Sequence, residues 1–252
     1  MDGDRERQLI EEHHPAAIQA RLQGPARENV VSDAVLGGID GCVTTFAVVC
    51  GAVGAGFSSS VALVLGFANL LADGFSMAVS NYESIKAERE FAQSVRESEE
   101  EHIDTVPAGE REEIRQIFRQ KGFSGDVLDR IVDTISSDRH LWIETMLTEE
   151  HGIQRTGRDP VRAALTTMIS FVLVGAIPLL PFLMTGVAQP WQFLFSTCLA
   201  AAMFFSIGAM KSRVFCKPVL RAGAGTLLTG GTAAALAFLV GYLLRELGIA
   251  VV

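Results

Sequence analysis

Five stretches of predominantly apolar residues run along this chain, separated by short polar turns and by one long charged segment. They cover residues 34–57, 61–82, 163–187, 191–210 and 222–244. A bilayer core takes about 20 such residues per helix, so each stretch predicts a membrane-spanning helix. Ser58, Ser59 and Ser60 are all that separates the first two, which predicts a helical hairpin. Pro178 and Pro181 should kink the third. Trp191, opening the fourth, suits a membrane interface. The pattern as a whole predicts an all-α polytopic membrane protein with five transmembrane helices.

Between the second and third spans the apolar run stops, and three helical stretches can be read. One continues the second span to about His102, one covers 110–121, and one covers 126–151. Ala108-Gly109 and Gly122-Phe123-Ser124-Gly125 punctuate them. The chain is therefore expected to divide into an N-terminal segment at 1–30, transmembrane helices 1–2 at 31–83, a three-helix insert at 84–160 and transmembrane helices 3–5 at 161–252.

Charge sharpens this division. Of 29 acidic residues, 19 fall between positions 83 and 162, with 12 of the 21 basic ones, so the insert carries −7 of the chain's net charge of −8. An acidic module attracts cations and disfavours nucleic acid as a partner. Arginine and lysine also set orientation, because cytoplasmic loops carry their excess. The N-terminal segment, the insert and the loop at 211–221 hold all of them except Arg245. The N-terminus and insert are thus expected in the cytosol and the C-terminus outside. The opening residues are too charged for a cleavable signal and lack a transit-type composition, which points to a bacterial inner membrane rather than an organelle membrane. Cys42, Cys50, Cys198 and Cys216 form no CxxC pair and read as packing residues.

Two aspartates fall inside spans, Asp40 in the first and Asp73 in the second. An ionisable group near the bilayer centre costs about 2.5–3.5 kcal/mol on insertion scales, and such a cost usually marks function. On the second span Asn69, Asp73, Met77 and Asn81 recur every four residues, flanked by Ser76 and Ser80, with Phe67, Leu71, Phe75 and Val79 on the opposite face. The first span aligns Asp33, Gly37, Asp40 and Thr44, and its glycines at 37, 38 and 41 would admit a neighbouring backbone at a subunit seam. Two carboxylates, amides and a thioether suit ferrous iron or manganese better than magnesium. The plainer alternatives are buried structural aspartates and a packing methionine.

In the insert, Glu99, His102, Glu110, Glu113, Met146 and Glu150 sit at spacings of three and four that pair Glu99 with His102, Glu110 with Glu113, and Met146 with Glu150. The three clusters could meet at one end of a helical hairpin. Glu99-x-x-His102 also matches the element used by di-iron carboxylate bundles, although His151 has Thr148 three residues before it, so no second copy exists. Acidic helix ends alone are ordinary solvated surface.

From about residue 29 onward the sequence resembles the vacuolar iron transporter family, also called the yeast calcium-cross-complementer family. The likeness rests on Ser32-Asp33-Ala34-Val35-Leu36-Gly37-Gly38-Ile39-Asp40-Gly41, on Ala72-Asp73-Gly74-Phe75-Ser76-Met77 with Tyr82, on Val106-Pro107 before Glu110 and Glu113-Ile114, and on Trp142, Met146 and Glu150-His151-Gly152-Ile153. The resemblance implies a homodimer of five-helix subunits, a cytosolic metal-binding insert and proton-coupled export of ferrous iron. By motif position Asp40 and Met77 correspond to pathway residues, and Glu99, Glu110, Glu113, Met146 and Glu150 to cytosolic ligands. His102 and Asn69 stand where the family carries glutamates, with Asp73 one turn beyond Asn69.

The expected function is a proton-coupled exporter of ferrous iron or manganese, not an enzyme, with no permanently bound cofactor. Its transport pathway would hold Asp40, Asp73, Met77, Asn69 and Thr44, and its partners would be metal, protons, membrane lipid and a second subunit. Two alternatives are a metal-sensing membrane scaffold without transport and a membrane-bound di-iron oxidase.

Overall fold

A computed structural model describes residues 2–23, 30–154, 157–214 and 218–249. Among the described residues there is no strand. The helices are α1 (Asp2–Glu12), α2 (Pro15–Gln23), α3 (Val30–Gly54), α4 (Ser59–Thr105), α5 (Pro107–Gln120), α6 (Gly125–Ser137), α7 (Arg139–Glu149), α8 (Pro160–Gly175), a 3-10 segment (Ile177–Leu183), α9 (Gln189–Val214) and α10 (Val219–Glu246). By length and composition α3, α4, α9 and α10 could each cross a membrane, and α8 with the 3-10 segment makes a fifth span if that bent pair is counted as one. The chain forms two compact units. One holds α3, α4 as far as Phe91, and α8 to α10; the other holds α1, α2, the end of α4 from Ala92, and α5 to α7.

In the apolar unit α3 packs against α8, α9 and α10. Glycine makes the closest approaches. A Cβ added at Gly37 would collide with the Thr167 carbonyl of α8, and one at Gly41 with that of Phe171. The glycines expected at a subunit seam are thus buried inside the subunit, where small residues let two backbones come together. Val49 and Ala52 of α3 pack with Ala62 and Leu70 of α4, Phe171 of α8, and Leu179 and Phe182. Cys42, Phe46 and Cys50 pack with Ala200 and Phe204 of α9 and Ala234 of α10. Cys42 and Cys50 are therefore packing residues as read, but Cys198 lies on an outer face and Cys216 is outside the described residues.

The third span bends by 40° between α8 and the 3-10 segment, and it ends at Leu183 rather than at 187. Asp159 starts α8 by accepting the Arg162 N–H, with Pro160 in the first turn. Pro178 then removes the N–H that would continue the α-helix. In the 3-10 pattern the carbonyl of Pro178 would accept from residue 181, which is also proline and has no N–H. The buried Ser196 hydroxyl supplies the missing donor at 2.7 Å.

The second unit buries Ile103, Ile114, Leu128, Val132, Ile135, Trp142, Ile143, Met146 and Leu147 in one core. Here the expected three-helix insert needs correction, because the stretch read as one helix is two. Asp138 adopts an extended conformation, accepts the N–H groups of His140 and Leu141, and so ends α6 and caps α7. The outer faces carry ion pairs: Arg96 with Glu144, Arg111 with Asp133, Arg115 with Asp129, Lys121 with Glu149 and Arg139 with Asp104.

The glycine contacts predict an asymmetry between two substitutions in the apolar unit. Gly41→Val forces α3 away from α8 and lowers stability by at least about 1–3 kcal/mol. Gly231→Ala adds a Cβ with nothing within 4 Å of it, and stays neutral or gains about 0.5–1 kcal/mol from helix propensity. Thermal melting of both variants in detergent checks the difference.

Candidate metal site

Three helix ends supply the residues of a cluster in the second unit. The last turns of α4 carry Glu99 and His102, the first turn of α5 carries Glu110, and Glu150 and His151 follow the last turn of α7. Glu99, His102 and Glu110 place one ligand atom each within 4.8 Å of one another, and so do Glu99, Glu150 and His151. Within the first group His102 Nδ1 stands 3.5 Å from Glu110 Oε1 and 3.8 Å from Glu99 Oε1. Within the second, His151 Nε2 lies 3.0 Å from Glu99 Oε1 and 3.8 Å from Glu150 Oε2.

Two features make this more than solvated surface. Glu99 and Glu110 are 2% and 3% exposed, and the second oxygen of each, Oε2, is buried without a hydrogen-bond partner. Burying a carboxylate oxygen so is costly unless something positive meets it. The helix dipoles differ in sign here: Glu110 sits at the favourable N-terminus of α5, whereas α4 ends with Glu99, Glu100, Glu101 and Asp104 at its negative pole, with His102 as the only basic residue in the last turn. The module's ion-paired arginines and lysine meet other carboxylates, so negative potential collects at this end.

Burial raises the Glu110 carboxyl to about 7, with Glu113 and then Glu99 adding to the effect and His102 opposing it. Glu150 is raised too, first by burial and then by Glu113, against the offsetting charge of His151. Glu113 is exposed but acts on both carboxyls from beside the cluster. Met146 is fully buried in the apolar core one turn before Glu150. His151 has no glutamate three residues before it, and in the sequence only its adjacency to Glu150 points to this cluster.

In the apolar unit, Asp40 and Thr44 of α3 and Asn69, Asp73 and Met77 of α4 are each half-buried. The Thr44 hydroxyl donates to the Asp40 carbonyl at 2.9 Å, leaving its lone pairs free for an outside partner. Met77 packs against the core that contains Leu70 and Phe171, and Asn69 Nδ2 is buried without a partner. Phe67, Leu71, Phe75 and Val79 are exposed on the opposite face of α4, as the four-residue spacing predicts. A further polar group joins three helices: the Asn81 amide donates to Asp33 Oδ1 at 3.1 Å and to Thr167 Oγ1 at 2.9 Å. Asp33 and Asn81 lie on the rows already noted; Thr167 is one of three hydroxyls, with Thr166 and Ser170, in an otherwise apolar stretch, and nothing in the spacing marks it out.

Carboxylates, imidazoles and a thioether in these positions would suit a divalent transition metal. Residues 31–242 match the VIT family, a range that includes both clusters. The chain belongs to the VIT family. It is similar to the vacuolar iron transporter of Toxoplasma gondii, with 30% identity over 249 residues that cover 92% of this chain and 82% of the relative. Vacuolar iron transporter 1 of Oryza sativa subsp. japonica is 32% identical over 213 residues, covering 83% of each chain. Vacuolar iron transporter 1 of Arabidopsis thaliana is 31% identical over 212 residues, covering 83% of this chain and 84% of the relative. In this VIT-family chain the clusters above are therefore compared with proteins named for iron transport.

The raised Glu110 carboxyl has a definite sign. A group protonated in the fold and ionised in the unfolded chain favours folding below its ordinary value of 4.5, and that advantage is lost as pH rises to about 7. Glu110→Gln cannot ionise. The metal-free variant should melt with the wild type at pH 4.5 and at a higher temperature than the wild type well above neutrality, as tryptophan fluorescence would report.

Proposed function

We propose that the protein exports a divalent transition metal, ferrous iron or manganese, from the cytosol in exchange for protons. The observation that carries this reading is the pair Asp40 and Asp73, two half-buried carboxylates placed on two helices long and apolar enough to cross a membrane. Metal and proton compete for the same carboxylate oxygens, so a site that binds the ion when ionised releases it when protonated. Two carboxylates could return two protons per ion, which makes the exchange electroneutral. Met77 adds a soft donor, and Asn69 and Thr44 add neutral oxygens, which favours ferrous iron or manganese over magnesium.

The topology proposed with it has five spans, counting α8 with the 3-10 segment as one. Residues 1–30 and the insert at 84–160 would lie in the cytosol, since the arginines and lysines concentrate there, and the C-terminus on the far side. The relatives are named as vacuolar; whether the far side is a vacuole lumen or a periplasm, the direction relative to the basic loops is the same. The insert would gather metal through Glu99, His102, Glu110, Glu113, Met146 and Glu150. Two subunits would pair along the half-buried polar row of α4, because polar groups facing lipid are costly.

Reconstitution tests the reading. Wild-type vesicles should take up ferrous iron or manganese with opposing proton movement under an imposed pH gradient. Asp40→Asn keeps the side chain's size and removes its titration, so metal-driven proton movement should fall to the level of empty vesicles. Wild-type flux with unchanged pH dependence in that variant refutes Asp40 as the coupling group. Metal binding without flux in the wild type would favour a scaffold, and oxygen consumption with ferrous iron an oxidase. Independently, cross-linking in native membranes should give a dimer; monomers alone would refute the pairing.

A further inference from the structure

The cluster in the second unit contains a group that the reading above does not use. His151 reaches Glu99 from beyond the end of α7, while His102 approaches the same carboxylate from within α4. Both imidazoles converge on one atom, Glu99 Oε1, at 3.0 Å for His151 Nε2 and 3.8 Å for His102 Nδ1. Glu110 and Glu150 stand behind the two rings, one with each. The arrangement has two arms about a shared carboxylate, and each arm ends in one nitrogen and one further carboxylate.

We propose that His151 is a metal ligand, and that Glu99 is shared by two nitrogen-bearing cation sites, one closed by His102 and Glu110 and the other by His151 and Glu150. The class of ion these sites take is a divalent transition metal with affinity for imidazole, such as ferrous iron, cobalt or zinc, ahead of manganese and magnesium. This rests on the insert being a metal-capturing module and names what selects the ion there.

Acidic residues alone would not carry this. Glu99 is 2% exposed and its Oε2 has no partner, and Glu110 repeats the pattern at 3%. Two buried carboxylates thus meet in a cluster where the charges acting most on Glu110 and Glu150 are other carboxylates and the two imidazoles. The imidazoles are accessible, with side chains 51% and 32% exposed for His102 and His151, so ions can reach them from solvent. Size fits as well. Ligand atoms about 2.1 Å from one zinc stand at most about 4.2 Å apart, and each triad already lies within 4.8 Å. Rotation of the exposed rings closes the remainder. His151 Nε2 and Glu99 Oε1 stand at hydrogen-bonding distance, 3.0 Å, and a bound cation would take the place of the proton between the same two atoms. Carboxylates suit manganese and magnesium, whereas imidazole raises affinity for the later metals.

Full-length protein in detergent, titrated separately with zinc chloride and manganese chloride, tests the proposal. His151→Gln should weaken zinc binding at least ~10-fold and remove one zinc per chain in equilibrium dialysis, while manganese affinity shifts less than ~3-fold. His102→Gln should do the same through the other arm. X-ray absorption at the zinc edge of the wild type should show imidazole scattering, a readout that needs no variant. Absence of that scattering, unchanged zinc stoichiometry in His151→Gln, or parallel loss of zinc and manganese overturns the proposal. Glu99→Gln separates the two levels of the argument. If it leaves zinc binding as in the wild type, the capture role of the insert fails with the proposal; if it weakens binding while His151→Gln does not, only the role of His151 fails.

Discussion

A carboxylate taken out of water needs a cation, hydrogen-bond donors or a proton, and both units of this chain are arranged around that requirement. In the module, Arg96, Arg111, Arg115, Lys121 and Arg139 meet Glu144, Asp133, Asp129, Glu149 and Asp104. These pairs lie mostly in solvent, where each contributes about 0–1 kcal/mol. Their consequence is distribution rather than stability. With those cations engaged, Glu99 and Glu110 are buried facing two imidazoles and other carboxylates, and the Glu110 proton is held to about pH 7. In the apolar unit the same requirement is met at Asp33 by the Asn81 amide, which also ties Thr167 of α8.

Packing decides where those carboxylates stand. Gly37 and Gly41 bring α3 against the backbone of α8, and Asp33 and Asp40 lie on the same run of the helix. A larger residue at either glycine would displace the axis and move both aspartates with it. The polar ties at the α3–α4 turn act in the same sense: Gln189 donates to the Phe57 carbonyl, and Ser59 donates to Gln192, which itself donates to the Met184 carbonyl. Each bond satisfies a group that an apolar surrounding would otherwise leave orphaned. Ser196 does this for Pro178 at the bend, so that the break in the third span does not leave this carbonyl open.

Much of this was legible because membrane helices announce themselves by length and apolarity, and because four-residue recurrence places Asn69, Asp73 and Met77 on one row with Phe67, Leu71 and Phe75 opposite. What was not legible depends on tertiary partners. Asp138 divides one expected helix into two, because its side chain caps α7 where the spacing alone continues a single helix. Glycines at 37, 38 and 41 state that something comes close; they do not state whether it is a second subunit or α8. Thr167 becomes significant only when Asn81 reaches it. His151 lies beyond the end of α7, outside the three- and four-residue spacings used to find ligands, and enters the cluster because the chain turns there, with Gly152 at a φ of 66°.

The donor sets of the two units differ, and the difference bears on transfer. On the reading advanced above, the module offers imidazole nitrogen beside carboxylate, whereas the spans offer carboxylate, amide, hydroxyl and one thioether. A capture site that held its ion in a closed, fully coordinated shell would stabilise it against release, and tight binding there would slow export. Exposure of His102 and His151 argues against such closure, since an ion between half-open imidazoles keeps water on one side and exchanges through it. The buried oxygens of Glu99 and Glu110 would then set the local charge, and the accessible rings would govern entry and departure. Selection and release would both fall to the imidazoles, while the buried carboxylates supply the negative potential that draws cations in.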